Sequence, residues 1–332
     1  FYQYLMGKSM HVNPRNNSTG MTPLHLAAHN GHLNLFVDIW DLIEKNTSNE
    51  DGWSLLHYAA KVGQLEVFKF IANTLVDKNP SSSVLEGKTP LHIACEYGKV
   101  EICEYIMKKI GVENSCHICD QENRKLNRNP KMVDGKTPLH LAAHNGHLNL
   151  FVYICNLIEN KLPNDAFGVS PFHAAVFGGN LDVCKYIIDN FVKQLPRDNS
   201  GETPLHWAVK GGQFEILKYI MTNVENEEKN PRSPGLGLTP LHMAAGMGNL
   251  EMCKYILENI EQDQKSPRTD DGKSPLHVAA INGRLNVCKY MMTIAELKNS
   301  RTNFNHTPLH YAASCGHLEV CKYIMEHTRK KS

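Results

Sequence analysis

Three hundred and thirty-two residues, 42% hydrophobic and 21% charged, are ample to bury a core, which excludes a disordered chain. Thirty-five Lys and Arg against thirty-four Asp and Glu leave a net charge of +1, so the basic excess of a nucleic-acid binder is missing. No run approaches the roughly eighteen apolar residues of a membrane-spanning helix, and ten cysteines fall well short of the roughly 8–10% of a disulfide scaffold.

The chain opens at Phe1 with no charged-then-apolar leader and reads as a fragment. Tyr4 precedes Pro14 by the interval that separates Tyr186 from Pro196. Phe1 to Met6 therefore aligns with the second helix of a repeat whose first helix is missing, which predicts a half repeat over 1–13. The string Thr22-Pro23-Leu24-His25 then opens the first of nine copies, the others beginning at Ser54, Thr89, Thr137, Ser170, Thr203, Thr239, Ser274 and Thr307. Successive openings lie 32 to 36 residues apart except for 48 between Thr89 and Thr137, which predicts an inserted, protruding loop at about 111–131.

Each copy has the same grammar. Thr or Ser followed by Pro starts a helix, because the hydroxyl serves an orphan N–H of the first turn and proline at the first helical position loses no bond. Leu24 and Ala27-Ala28 give one large and two small apolar groups, so a neighbouring helix can approach closely. Gly31 ends this helix at little conformational cost. Leu33, Phe36 and Ile39 in the first copy, like Leu318, Cys321 and Ile324 in the last, then recur at helical spacing. A polar turn segment follows, as in Pro196 to Gly201. One helical hairpin cannot cover its own apolar face, so the copies must stack. The expected fold is all-α, one solenoid over 1–332 of stacked helix-turn-helix units with projecting loops or short β-hairpins.

The Thr-Pro-Leu-His-x-Ala string, the closing Gly and the Leu-x-Val-Cys-Lys-Tyr-Ile second helix (Leu318 to Ile324) resemble ankyrin repeats, a family with a period of about 33 residues. The resemblance spans the whole chain. Two departures stand out: the family's Gly-Ala-Asp-Val-Asn segment is replaced by connectors such as Asn230-Pro231-Arg232, and the insertion follows the third copy. Copies one and four share every residue from Thr22 to Val37 and from Thr137 to Val152, as expected of growth by duplicating a block of three.

Nine histidines share one repeat position, about a repeat apart, too far to share a metal ion at bond lengths of about 2 Å. The resemblance implies that they are structural and bond the helix cap. Cys103, Cys184, Cys253, Cys288 and Cys321 share a second-helix position and read as small core hydrophobes. A disulfide between copies needs Cα atoms within about 7 Å, whereas stacked helices lie about 8–10 Å apart. Reduced thiols imply a cytoplasmic chain, and Arg329-Lys330-Lys331 leaves the nucleus open. Cys116-His117-Ile118-Cys119 is the one cluster with metal-like spacing, but a closed zinc site takes four ligands, so no metal is expected. Gly235-Leu236-Gly237 belongs to a connector, and no nucleophile, base and stabiliser stand outside the repeat grammar. No cofactor and no enzymatic activity are expected.

Binding must then use the positions that stacking leaves free. The connector tips present Trp53, Lys88, Lys136, Phe167, Glu202, Leu238, Lys273, Phe304 and His306. The ends of the first helices add Lys61, Tyr97, Phe177, Lys210 and Met247, with His29, His144 and Ile281. The resemblance places both sets toward the concave side, and aromatic anchors among lysines are interface chemistry. Trp207 and Tyr311 are expected in the core. The reading is a monomeric, non-enzymatic scaffold that binds a partner protein or peptide, without nucleic acid or membrane insertion. The alternative is a cytoplasmic regulatory or tethering array of a larger protein such as an ion channel or kinase.

Overall fold

A computed structural model describes residues 14–40, 48–50, 52–75, 79–82, 86–109, 129–224, 228–298 and 300–328. The chain divides into two compact units, Phe1–Ala166 and Phe167–Ser332. Both are all-α, with no strand among the described residues.

Among the described residues the first unit contains four helical hairpins: Pro23–Asn30 with Leu33–Trp40, Leu55–Val62 with Leu65–Thr74, Pro90–Glu96 with Val100–Lys109, and Pro138–His144 with Leu148–Leu157. The second contains five: Pro171–Phe177 with Leu181–Phe191, Pro204–Lys210 with Phe214–Asn223, Pro240–Met247 with Leu250–Asn259, Pro275–Ile281 with Leu285–Met291, and Pro308–Ser314 with Leu318–Thr328. These are repeats one to nine. Within each unit a first helix packs on the first helix of the next repeat, and a second helix on the next second helix.

The local grammar explains each start. In every repeat the capping Thr or Ser and the histidine three residues on form a reciprocal capping box. Repeat two has Leu55 where the others have proline, yet its helix begins at the same place. The cap, not the proline, sets the boundary. Gly31 ends the first helix at φ 71°, and a Cβ there would stand 2.2 Å from Gln64 Oε1 of the next repeat. Both the left-handed turn and the close approach of the following copy require glycine.

The core is the seam between copies. The motif leucines, the paired small residues and the second-helix Phe, Cys and Ile are buried along it. Cys103, Cys184, Cys253 and Cys288 are fully buried and free, as expected of core thiols. Burial pushes Cys155, Cys184, Cys253 and Cys288 up to about 12. Cys321 differs and is only half-buried, because no described hairpin follows repeat nine.

Where they are described, the connectors are tight turns and form no β-hairpin. Successive connectors share single backbone bonds, Asp270 N–H to Leu236 O at 3.1 Å and Asn303 N–H to Asp271 O at 3.1 Å. Such single bonds are too few for a ladder, and the proline carried by seven of the nine connectors removes a donor. Where Arg15, Arg197 and Arg268 follow that proline, the arginine ties the layer instead. Arg15 donates to Gly20 O and Ser48 O, Arg197 to Gly201 O and Arg232 O, and Arg268 to Gly272 O and Arg301 O. One guanidinium thus holds its own turn and the next connector together.

The half repeat at 1–13 and the Cys116-His117-Ile118-Cys119 cluster lie outside the described residues, as does nearly all of the insertion. No helix among the described residues is long and apolar enough to cross a membrane, and no group of metal-ligating side chains forms among them.

Candidate partner-binding surface

The histidines locate the tips. The backbone N–H of Ser54 donates to His57 Nδ1 at 3.1 Å, and the Ser54 hydroxyl lies 2.9 Å from the same nitrogen. Nδ1 is therefore an acceptor and the proton sits on Nε2. Nε2 then donates across the seam to the carbonyl of the residue just before the next cap: His57 to Lys88 at 3.0 Å, His173 to Glu202 at 3.3 Å, His206 to Leu238 at 3.2 Å, His242 to Lys273 at 3.0 Å and His277 to His306 at 3.1 Å. His92, beside the insertion, reaches Pro130 O at 3.1 Å. Five of the expected tip residues are thus held by their own carbonyls.

Burial pulls these imidazoles down, and the carbonyl bonds only partly offset it. His57, His206, His242 and His277 fall to about 4, and His92 to about 3. They are neutral at physiological pH and structural in role, as the resemblance implied.

In three repeats the tip residue meets the residue eight further along, at the end of the first helix. In repeat three Lys88 pairs with Glu96 at 2.8 Å. In repeat six the signs are exchanged and Glu202 pairs with Lys210. In repeat two the tip is Trp53, and the Lys61 ammonium lies 5.4 Å from its ring centroid and 5.5 Å from that of Tyr97. Trp53 also packs on Tyr58 at 5.3 Å. Repeat two of the first unit therefore carries an aromatic cluster around one cation.

A second cluster belongs to the second unit. Trp207 donates from Nε1 to Asp198 Oδ2 at 2.9 Å, packs edge-on against Phe177 at 5.7 Å and lies under the Lys210 ammonium at 5.6 Å. A third brings Lys273 to 5.5 Å from the Tyr311 ring, which also meets His306 at 5.7 Å. Trp207 and Tyr311 are half-buried, which corrects their expected place in the core. They follow the motif histidine in the first helix and meet the rings of the preceding repeat edge-on, Trp207 with His173 and Tyr311 with His277.

The remaining expected residues behave differently. Lys136 pairs with Asp134 at 2.8 Å; burial pushes that carboxyl up, but the ammonium and backbone N–H of Lys136 outweigh it and hold it low. Phe167 and Phe304 are 63% and 73% exposed at connector tips, and Met247 is exposed at a helix end. Leu238 is half-buried and joins no cluster among the described residues.

Sequence reasoning missed the orienting partners. Asn49 donates from Nδ2 to the Tyr58 hydroxyl at 2.9 Å, and Asp198, at the same repeat position, accepts from Trp207. An amide or carboxylate five residues before the cap, together with an aromatic four residues after it, is the readable signal. Leu236, 67% exposed beside Leu238, was also missed.

A family model described as ankyrin repeats (3 copies) matches residues 1–82, 39–119, 72–162, 110–193, 153–233, 223–301 and 262–332. Together these overlapping matches span the chain.

Proposed function

The chain belongs to the ankyrin-repeat family, and we propose that it is a non-catalytic scaffold that binds a partner protein or extended peptide across its connector tips and first helices. Ankyrin repeats are generally protein–protein interaction modules. One observation carries the reading: the caps, motif leucines and paired small residues common to the copies are spent on stacking, while the tip and helix-end positions, where the copies differ, are exposed or half-exposed. Those variable positions are rich in Trp, Tyr, Phe and Lys. Such side chains supply most of the energy at interfaces.

On this reading the chain acts as a monomer, inside the cell. The support for the compartment is chemical: eight described cysteines are free, six of them buried, and such thiols belong to reducing surroundings.

The test is an affinity capture with the intact chain and with a Phe167→Ser, Phe177→Ser, Phe304→Ser variant. These rings are 63%, 44% and 73% exposed, so the melting temperature is expected to stay within about 3 °C. The expected result is a partner weakened by about 2 kcal/mol or more. A partner that binds the variant equally well rules out the tips as the interface.

A further inference from the structure

We propose that Trp53, Lys61 and Tyr97 form the anchor point for one acidic side chain, Glu or Asp, presented by an extended segment of the partner. This rests on the interaction reading above and adds the chemistry that the partner must bring.

The argument comes from comparing repeats. At the tip and helix-end positions, repeat three has Lys88 with Glu96 and repeat six has Glu202 with Lys210. The order of the charges is reversed, so what recurs is a closed cation–carboxylate pair. Repeat two keeps the cation, Lys61, but has Trp53 in the place of the carboxylate.

The described surroundings of Lys61 supply no substitute. Its ammonium faces the Trp53 and Tyr97 rings at 5.4 and 5.5 Å and makes no ion pair among the described residues. Tyr58 lies behind Trp53, and His29 meets Tyr58 at 6.4 Å. Glu96, on the next repeat, is held by Lys88. Lys136 is held by Asp134. Among the described residues, Lys61 is thus the cation at these tip and helix-end positions that still lacks a carboxylate.

Ring faces attract an ammonium but do not accept its N–H groups as an oxygen does, and a lysine has three such donors. A carboxylate arriving between the two rings would complete the pair with directed bonds. The flanking aromatics would screen it from water and strengthen it. A single ammonium matches a single negative charge, which favours a carboxylate over a phosphate.

The experiment uses the full chain and bead-bound libraries of short peptides with random flanks and a fixed central Glu, Asp, Gln, Lys or phosphoserine. Glu and Asp libraries are expected to retain about tenfold more chain than the Gln library. Lys61→Met should reduce retention to the Gln level and Lys61→Arg should preserve it, with melting temperatures confirming that both variants fold. Equal retention by Glu and Gln, best retention by Lys or phosphoserine, indifference to Lys61→Met, or no retention by any library would each overturn the proposal. Retention that ignores the central residue yet is lost in the Phe167, Phe177, Phe304 variant would leave the interaction reading standing without the acidic anchor.

Discussion

Repeats one and four carry the same residues from Thr22 to Val37 and from Thr137 to Val152, and their neighbours use those residues differently. Phe36 and Phe151 are both fully buried, but Leu35 is 52% exposed while Leu150 is 0% exposed. Leu26 is likewise exposed, whereas Leu141 is half-buried. In repeat four the second helix of repeat three, Val100–Lys109, packs against Leu148–Leu157. No described element stands in that place for repeat one. An identical hairpin thus has an apolar face that is core in one position and surface in another. The capping geometry does not change between them, because it is closed within a few residues.

The other end of the chain repeats the lesson. His277 donates across its seam to His306 O. His310 keeps its bond to the Thr307 cap, but it is exposed and has no carbonyl of a further repeat to reach among the described residues. Seams therefore carry the stability of each unit, and acid attacks them most strongly. The folded-state values of His57, His92, His206, His242 and His277 lie at about 3 to 4, below the usual 6.5 or so of an unfolded chain. Their contribution is fully present above about pH 6.5 and is lost as the pH falls toward 4, because only the unfolded chain takes up protons in that window. A loss of about 1–2 kcal/mol per histidine by pH 5 is expected. Urea titrations at pH 7 and pH 5 measure it, and equal midpoints would refute the account of the seam.

Truncating the matched leucines is the next largest test. Leu150→Ala is expected to cost about 2–5 kcal/mol, as buried leucines do, and Leu35→Ala less than about 1 kcal/mol. Chemical denaturation of the two single variants decides it. Equal losses would mean that Leu35 is as well covered as its twin and that the contrast between the copies is false.

The smallest effect concerns what both contexts share. Gly146 and Gly316 both sit at φ 75°, and nothing stands within 4 Å of a Cβ placed at Gly316. Gly316→Val isolates the backbone cost, about 1 kcal/mol, and Gly146→Val should cost at least as much. A calorimetric melt of either variant unchanged from the parent would show the helix end to be elsewhere.

Much of this was legible along the chain because a period of about 33 residues puts the same demand on the same position many times. Nine histidines at one place read as structural, and the geometry bears that out in the cap bond that each accepts at Nδ1. Trp207 and Tyr311 were misread because large aromatics in the first helix look like core, and only the placement of Asp198 and Lys273 puts them at the rim. The Pro-Arg connectors were read as turn chemistry alone. Their tie between neighbours is invisible until two connectors lie side by side.

Helix starts, helix ends and the cap bonds of the repeated histidines follow from residues within a few positions of one another, and a local pattern is enough to specify them. Which leucine is covered, which lysine finds a carboxylate and which tip residues come together depend on the adjacent copy some thirty residues away. Burial and charge pairing belong to the seam between hairpins, so the same string of residues yields core in one copy and open surface in another.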